Sequence, residues 1–464
     1  MQSVKSRGGA RGSLRRSAER ETLSERGLVL VGVGGIIGAG FFLGAGLPIR
    51  TAGPAVLLAF LLGALVTSQV LGALTSIAVH HPDAGAYQSY PALYLGRFAG
   101  FLQGWTYYIT SLLTIASESV AMAVFARLWL RGVPQLVLAF AFAAIIVAIN
   151  AAGAKNFTRV ETLMSAVKIA ALAGFIVYAG LLLAGMARGA GGVGGVHPFA
   201  QGFWPTGFSG MMQSMLVVIF AYAGIGVFAA AAGEVRPPQR IDRAAWWTVI
   251  LLAALYIGSI GLMLYLIPWR QVSTDKSPFV AALAASGSGG LAAVFNAIIL
   301  VAAFSVMAGA LFSANEVLCS LAEAGDAPRS LARRSQRGTP YRALWVSAAG
   351  IALSLLLSLV LPANLYNVLI SASSFFTFLN WFLILWTFLA WRRRTEEDER
   401  FVSGLAWGQP VSTGVTMALL VVLTGYALFQ RDQRLGFYAA VAVAAVLTAV
   451  YAAVLRRRGG TQTP

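Results

Sequence analysis

GVGGIIGAGFFLGAG, residues Gly32 to Gly46, carries seven glycines in fifteen positions of an otherwise apolar segment. Glycine is the poorest helix former after proline. A chain in hydrocarbon has to satisfy its backbone N–H and C=O groups internally, so irregular backbone at that depth is tolerated only against protein or a wet cavity. The stretch therefore predicts an interrupted helix. An interruption frees N–H groups at the start of one half-helix and C=O groups at the end of the other, and these ends carry about half a positive and half a negative charge.

A second segment repeats the pattern. VIFAYAGIGVFAAAAGEVRPP, from Val218, has Gly224 and Gly226 near its middle. Counting apolar runs along the chain, these are the first and the sixth, an offset of five, as expected of two halves related by an inverted repeat. Two paired breaks make a site for a small zwitterion, its carboxylate at the N–H ends and its ammonium at the C=O ends. Glycines in membrane helices also serve close packing of neighbours, and Gly40 and Gly44 have that spacing; the matching break in the sixth run favours the first reading.

The remaining sequence sets the frame. Of 464 residues, 58% are hydrophobic and 11% charged, with a mean hydropathy of +0.75. An average soluble protein has about 25% charged residues. Runs of about 20 apolar residues, enough to cross roughly 30 Å of hydrocarbon, are expected near 28–47, 54–79, 98–126, 133–152, 160–186, 208–232, 244–267, 290–321, 343–361, 364–391, 411–429 and 436–455. Twelve spans put both termini on one side, and 25 of the 34 Lys and Arg fall on that side. That asymmetry predicts cytoplasmic termini. The net charge of +17 then reflects topology and attraction to anionic lipid rather than nucleic-acid binding. The basic, Gly/Ser-rich stretch 1–27 is expected to be a disordered cytoplasmic tail and not a signal peptide, and 456–464 a second tail.

Several chemistries find no support. No Gly-x-x-x-x-Gly-Lys-Ser/Thr motif is present, and no segment suggests a soluble motor domain. The glycine-rich stretch lacks the preceding strand and following acidic residue of a dinucleotide fingerprint. His80, His81 and His197 do not fall into a metal-ligating spacing, so no metal or cofactor is expected, and no nucleophile–base pair suggests an enzyme. With one cysteine, Cys319, neither an internal disulfide nor a disulfide-linked subunit is expected. No charged ring or carbonyl filter suggests a channel.

Five stretches carry a family resemblance: LVGVGGIIGAGFFLGAG, TAGPAVLLAFLLGAL, DAGAYQSYPALYLGRFAGFLQGW, FAYAGIGVFAAAAGEVRPPQR and LFSANEVLCSLAEAGDAPRSLARRSQRGTP. Together the chain resembles the amino acid–polyamine–organocation superfamily of permeases, most of all the bacterial amino acid permeases. That resemblance implies an all-α membrane protein with a LeuT-type 5+5 inverted repeat, helices 1 and 6 broken, and two further helices. The transport core is then 28–391 (repeats 28–186 and 208–391), followed by helices 11 and 12 in 411–455. It further implies that backbone N–H groups of Gly38, Ala39 and Gly40 hold a substrate carboxylate. Carbonyls of Ile36, Phe220 and Ala223 would hold the amino group, with Phe220 as an aromatic gate and Tyr107, Gly224 and Gly226 in the pocket. Two positions depart from the pattern. Relatives often carry a glutamate where Gly226 stands, which implies a roomier pocket here, and a basic residue where Glu316 stands.

Ionisable residues inside a membrane need a reason, because insertion costs roughly 2.5–3.5 kcal/mol each. Lys168 lies about eight residues into the fifth span. Proton-coupled relatives place a lysine at the matching position, where its ammonium takes the place of a sodium ion, so Lys168 is the candidate for proton coupling; a fixed structural charge is the other reading. Glu118, in the third span, either lines a polar path or belongs to a polar cluster with Ser117 and Ser119. Glu316 is expected to snorkel or to pair with an arginine of RSLARR. Tyr108 is a second aromatic candidate for the pocket.

The reading is a secondary amino acid transporter in the inner membrane, working by alternating access, proton-coupled and sodium-independent, with a neutral amino acid favoured. Its partners are the amino acid, protons and the bilayer. An exchanger, a cationic amino acid or polyamine transporter, and a membrane sensor on the same scaffold are the alternatives.

Overall fold

The computed structural model describes residues 24–81, 86–152, 157–185, 197–232, 235, 239–274, 276–335, 338–359, 365–396 and 400–455. Nearly all of the tail 1–27 expected to be disordered, the tail 456–464, and much of the loop after the fifth span lie outside them. Among the described residues nine helices are long and apolar enough to cross a membrane, with shorter apolar helices at Tyr341–Leu356 and Val411–Ala427.

Ser24 starts the first helix by accepting from Gly27 N at 3.1 Å, a side-chain cap for donors that have no intrahelical partner. This helix, α1 (Glu25–Ile36), stops at Ile37 and Gly38, both extended. The chain re-forms as α2 (Ala39–Phe42) and α3 (Gly46–Ala52). The first expected span is thus three short helices that run beyond its expected end. Next come α4 (Val56–His80), the short α5 (Ala86–Leu95), α6 (Arg97–Ala126), α7 (Gln135–Ala152) and α8 (Phe157–Leu183).

The sixth segment divides as well. The helix α9 (Gly207–Ala221) ends in a turn at Tyr222–Gly224, and α10 (Ile225–Ala232) follows. Beyond lie α11 (Gln239–Leu266), the short α12 (Pro278–Ala285), α13 (Gly289–Glu323), α14 (Tyr341–Leu356), α15 (Leu365–Arg394), α16 (Val411–Ala427) and α17 (Arg431–Val450). The two short helices α5 and α12 stand where only loops were expected.

Burial sorts these helices. The helix α6 is the central post, packed most extensively against α13 and α15, while α1 packs on α8, α10 and α11. Peripheral helices bury one seam only. In α16 it is Thr413, Thr416, Leu420, Leu423 and Ala427, spaced three and four apart, while Val411, Val415, Val421 and Val422 face outward. A helix apolar on its outward face as well suits lipid rather than water.

The residues after α15 form a strap laid back along α4. Phe401 N donates to His80 Nε2 at 3.4 Å, Ser403 N to Ser76 Oγ at 2.9 Å, and Gln69 Nε2 to the Leu405 and Trp407 carbonyls at 3.4 and 3.2 Å. Ser403 Oγ donates to Asp242 on α11. Gly72 leaves the space: a Cβ there would stand 2.5 Å from Ala406 N. Gln69 is eleven residues before His80, so the strap climbs about 16 Å along the helix. Its backbone polar groups find partners in α4, and the Ser403 hydroxyl finds one in α11.

Candidate functional site

The interruptions of α1–α2 and α9–α10 abut. A Cβ on Gly224 would overlap the Gly35 carbonyl oxygen, and one on Gly40 would stand 2.8 Å from the Phe220 ring. Glycine at 224 therefore serves close approach of two backbones, and glycine at 35 and 40 makes room for the Val227 and Phe220 side chains. Where they meet there is a cavity of about 60 Å³, room for a few water molecules. Its backbone wall is Gly35, Ile36, Gly40, Ala223 and Gly224, and its opposite wall comes from α6.

That α6 wall is a helical stripe. Tyr107, Ser111, Thr114 and Glu118 recur at intervals of four, three and four residues, one face of a helix, and with Thr110 they line the cavity. The hydroxyls of Thr110 and Ser111 bond back to the carbonyls of Thr106 and Tyr107 at 2.8 and 2.9 Å. Tyr107 Oη pairs with Ser313 Oγ at 2.7 Å, and its ring lies 4.3 Å from that of Tyr87. Phe220 closes the side towards α3, clustered with Val217 and Ile370 against Leu47 and Tyr366. Tyr366 Oη donates to the Ala39 carbonyl at 3.0 Å.

The N–H groups that open α2 have a partner inside the protein. Glu118 Oε2 accepts from Ala39 N at 3.0 Å and Oε1 from Gly40 N at 3.3 Å. A side chain on Gly38 has no room, since its Cβ would stand 2.8 Å from Glu118 Oε1 and from Val306. Glu118 is 2% exposed. A charge taken so far from water requires such partners.

Of the residues singled out from sequence, Ile36, Gly40, Tyr107, Glu118, Phe220, Ala223 and Gly224 line this one cavity. Gly38 and Ala39 stand beside it at the head of α2. Gly226 does not line it. A Cβ there would be 2.5 Å from Tyr107 Oη and 2.6 Å from Tyr107 Cε2. The space expected to be free at Gly226 is filled by the tyrosine. Tyr108 bonds Ser347 at 3.1 Å instead of lining the cavity.

Lys168 lies on the other side of α1. Its Nζ donates to the Gly34 carbonyl at 2.5 Å, and it is fully buried. Glu161, Ser165 and Lys168 occupy one face of α8, all at or below 1% exposure. Glu161 accepts from Ser305 Oγ at 2.7 Å, and a Cβ on Gly34 would stand 3.0 Å from Glu161 Oε1. Glu161 was not singled out from the sequence; its place seven residues before Lys168, two helical turns, is the signal that pointed to it. Tyr366 left no comparable signal. Glu316, at the end of α13, is held by Arg334 through two bonds of 2.8 Å, the ion pair expected from the RSLARR loop.

Among the described residues no group of three His, Cys, Asp or Glu is placed to hold a metal ion. The arrangement offers backbone donors, backbone acceptors and buried charges around a small cavity, the elements of a binding site.

A family model for the amino acid permeases matches residues 27–458. An uncharacterized transporter of Bacillus subtilis, YcgH, is 30% identical over 439 residues, 94% of this chain and 96% of that protein. The aromatic amino acid transport protein AroP of Escherichia coli is 30% identical over 383 residues, 81% and 82% of the two chains. Among solved structures, MhsT in complex with L-phenylalanine superposes with a TM-score of 0.60 over 87% of this chain and 98% of that one; at 16% identity this concerns the fold alone.

Proposed function

This chain belongs to the amino acid permease family, a family of integral, multi-pass membrane transporters, and on that premise we propose that it is a secondary active amino acid transporter driven by protons. In this reading the chain crosses the inner membrane twelve times with both termini in the cytoplasm. The first ten crossings form two inverted repeats, and the bundle of crossings one, two, six and seven rocks against the rest to open the site alternately to each side.

The observation that carries the reading is the meeting of two helix interruptions on one cavity. The amides of Ala39 and Gly40 take the substrate carboxylate. The carbonyls of Ile36, Phe220 and Ala223 take its ammonium, and Phe220 is the gate. The stripe of hydroxyls on α6 lacks a charge for a cationic side chain apart from Glu118, which favours a neutral amino acid. The name of the AroP relatives favours an aromatic one, for which the cavity has to widen as Phe220 and Tyr366 swing away. Lys168 carries the coupling. When its ammonium holds the Gly34 carbonyl it ties α8 to α1; once the proton leaves, the bond loses its charge assistance and α1 is held more loosely. Glu161 balances the charge.

Uptake into proteoliposomes under an imposed inward proton gradient tests this. L-phenylalanine should accumulate above its external concentration, with or without sodium, and the accumulation should vanish with a protonophore. Lys168→Met should lower gradient-driven uptake at least tenfold. Undiminished accumulation in that variant removes Lys168 from the coupling, and accumulation that requires sodium removes the proton.

A further inference from the structure

Glu118 already occupies the two amides that the transporter reading assigns to the substrate carboxylate, through bonds of 3.0 and 3.3 Å from Ala39 N and Gly40 N. The contact is built, not incidental. Glu118 lies on the α6 stripe that lines the cavity, is 2% exposed, and presses so closely on Gly38 that a Cβ there would meet it. From this juxtaposition we infer that Glu118 is an internal ligand, standing in the empty carrier where the carboxylate of the amino acid stands in the loaded one. The inference rests on the transporter reading and adds to it a competitor for the substrate.

The chemistry of the donors enforces the competition. Each backbone N–H donates one bond, so two carboxylates cannot both be satisfied by Ala39 and Gly40. Two like charges at such spacing in a buried site also repel strongly. An amino acid therefore binds only as Glu118 withdraws. The withdrawal loosens the joint between α6 and α2, which links occupancy to the helix that has to move. A ligand with an ammonium and no carboxylate makes no such demand, because Glu118 can remain on its amides and offer its oxygens to the cation. The empty site is thus tuned to amines and the displaced one to zwitterions.

Two matched pairs of probes test this on purified full-length protein in lipid nanodiscs: L-phenylalanine with 2-phenylethylamine, and L-alanine with ethylamine. Glu118→Gln keeps the shape and loses the charge. The amino acid of a pair should bind several-fold tighter to this variant than to wild type and the amine at least tenfold more weakly, so the ratio of the two affinities moves by more than an order of magnitude. Equal shifts in one direction, or weaker binding of the amino acid alone, overturn the inference and leave Glu118 as part of the pocket frame.

Hydrogen–deuterium exchange over residues 36–44 gives an answer that does not depend on Glu118→Gln folding well. In the wild type the Ala39 and Gly40 amides should be protected without ligand and no further protected by amino acid. Amides that exchange freely until amino acid is added overturn the inference. Wild-type protein that binds no amino acid at any concentration fails the transporter reading itself and takes the inference with it, whereas binding with an unmoved ratio fails the inference alone.

Discussion

Gly226 and Tyr107 illustrate how little a single position says without its neighbour. The family pattern made the missing side chain at 226 read as open space, yet Tyr107 stands 2.5 Å from where a Cβ would be and is held there by Ser313 and Tyr87. Restoring the glutamate of relatives should therefore fail: Gly226→Glu is expected to abolish uptake and to cost about 1–3 kcal/mol of stability, the range for an overpacked core. Adding Tyr107→Ala should recover part of the lost melting temperature, a coupling that a double-mutant cycle measures directly. Gly34 sets a similar limit. Its carbonyl holds Lys168, and a Cβ would overlap Ser165 Oγ. Lys168 was legible from sequence because a charge inside an apolar run is conspicuous. Glu161 was legible only through its spacing from Lys168, because it stands near the end of the run, where a charge passes for interfacial.

At the scale of elements, the interruptions were legible because glycine density is a local property. The strap was not, since pairing residue 69 with residues 405 and 407 is set by packing alone. Gln69→Leu leaves the buried Leu405 carbonyl without its donor, while the Trp407 carbonyl keeps Ser412 Oγ; an unpaired buried acceptor costs about 1–3 kcal/mol, and a clear drop in melting temperature is expected. The start of α6 offers a pH-dependent counterpart. Arg97 pairs with Asp326 at 2.8 Å, and Trp105 Nε1 donates to the Asp326 carbonyl at 3.2 Å. Partial burial pushes the Asp326 carboxyl above its ordinary value of 3.8, an effect that Arg97 opposes. A carboxyl whose folded value is raised binds its proton more tightly in the folded state, so its contribution grows as pH falls through that value and is lost as pH rises. The melting temperature of wild type relative to Asp326→Asn should accordingly increase on acidification from pH 7 towards pH 4.

For the whole molecule, the charge asymmetry makes a prediction of its own. Cys319, the single cysteine, is fully buried, which leaves a clean background for introduced thiols. A membrane-impermeant maleimide on intact cells should label Arg131→Cys, between α6 and α7, and should label Arg393→Cys, at the end of α15, only after lysis. The opposite pattern inverts the topology. Hydropathy and glycine placement carried the helical membrane architecture and the two interruptions, and the family resemblance carried most of the cavity wall. The small volume of the cavity, the short helices α5 and α12 and the occupant of the α2 amides required the folded chain, because each depends on residues that are remote in sequence.

The strap also has a consequence for biogenesis. Its seat is shared between Gln69, Gly72, Ser76 and His80 on one helix and Asp242 on another. The seat is complete only once those two helices have come together. The ribosome delivers the strap after both helices, so its docking closes that part of the assembly like a hasp. A nascent chain halted before residue 400 would leave that seat bare, a signature by which quality-control proteases could tell an unfinished carrier from a finished one.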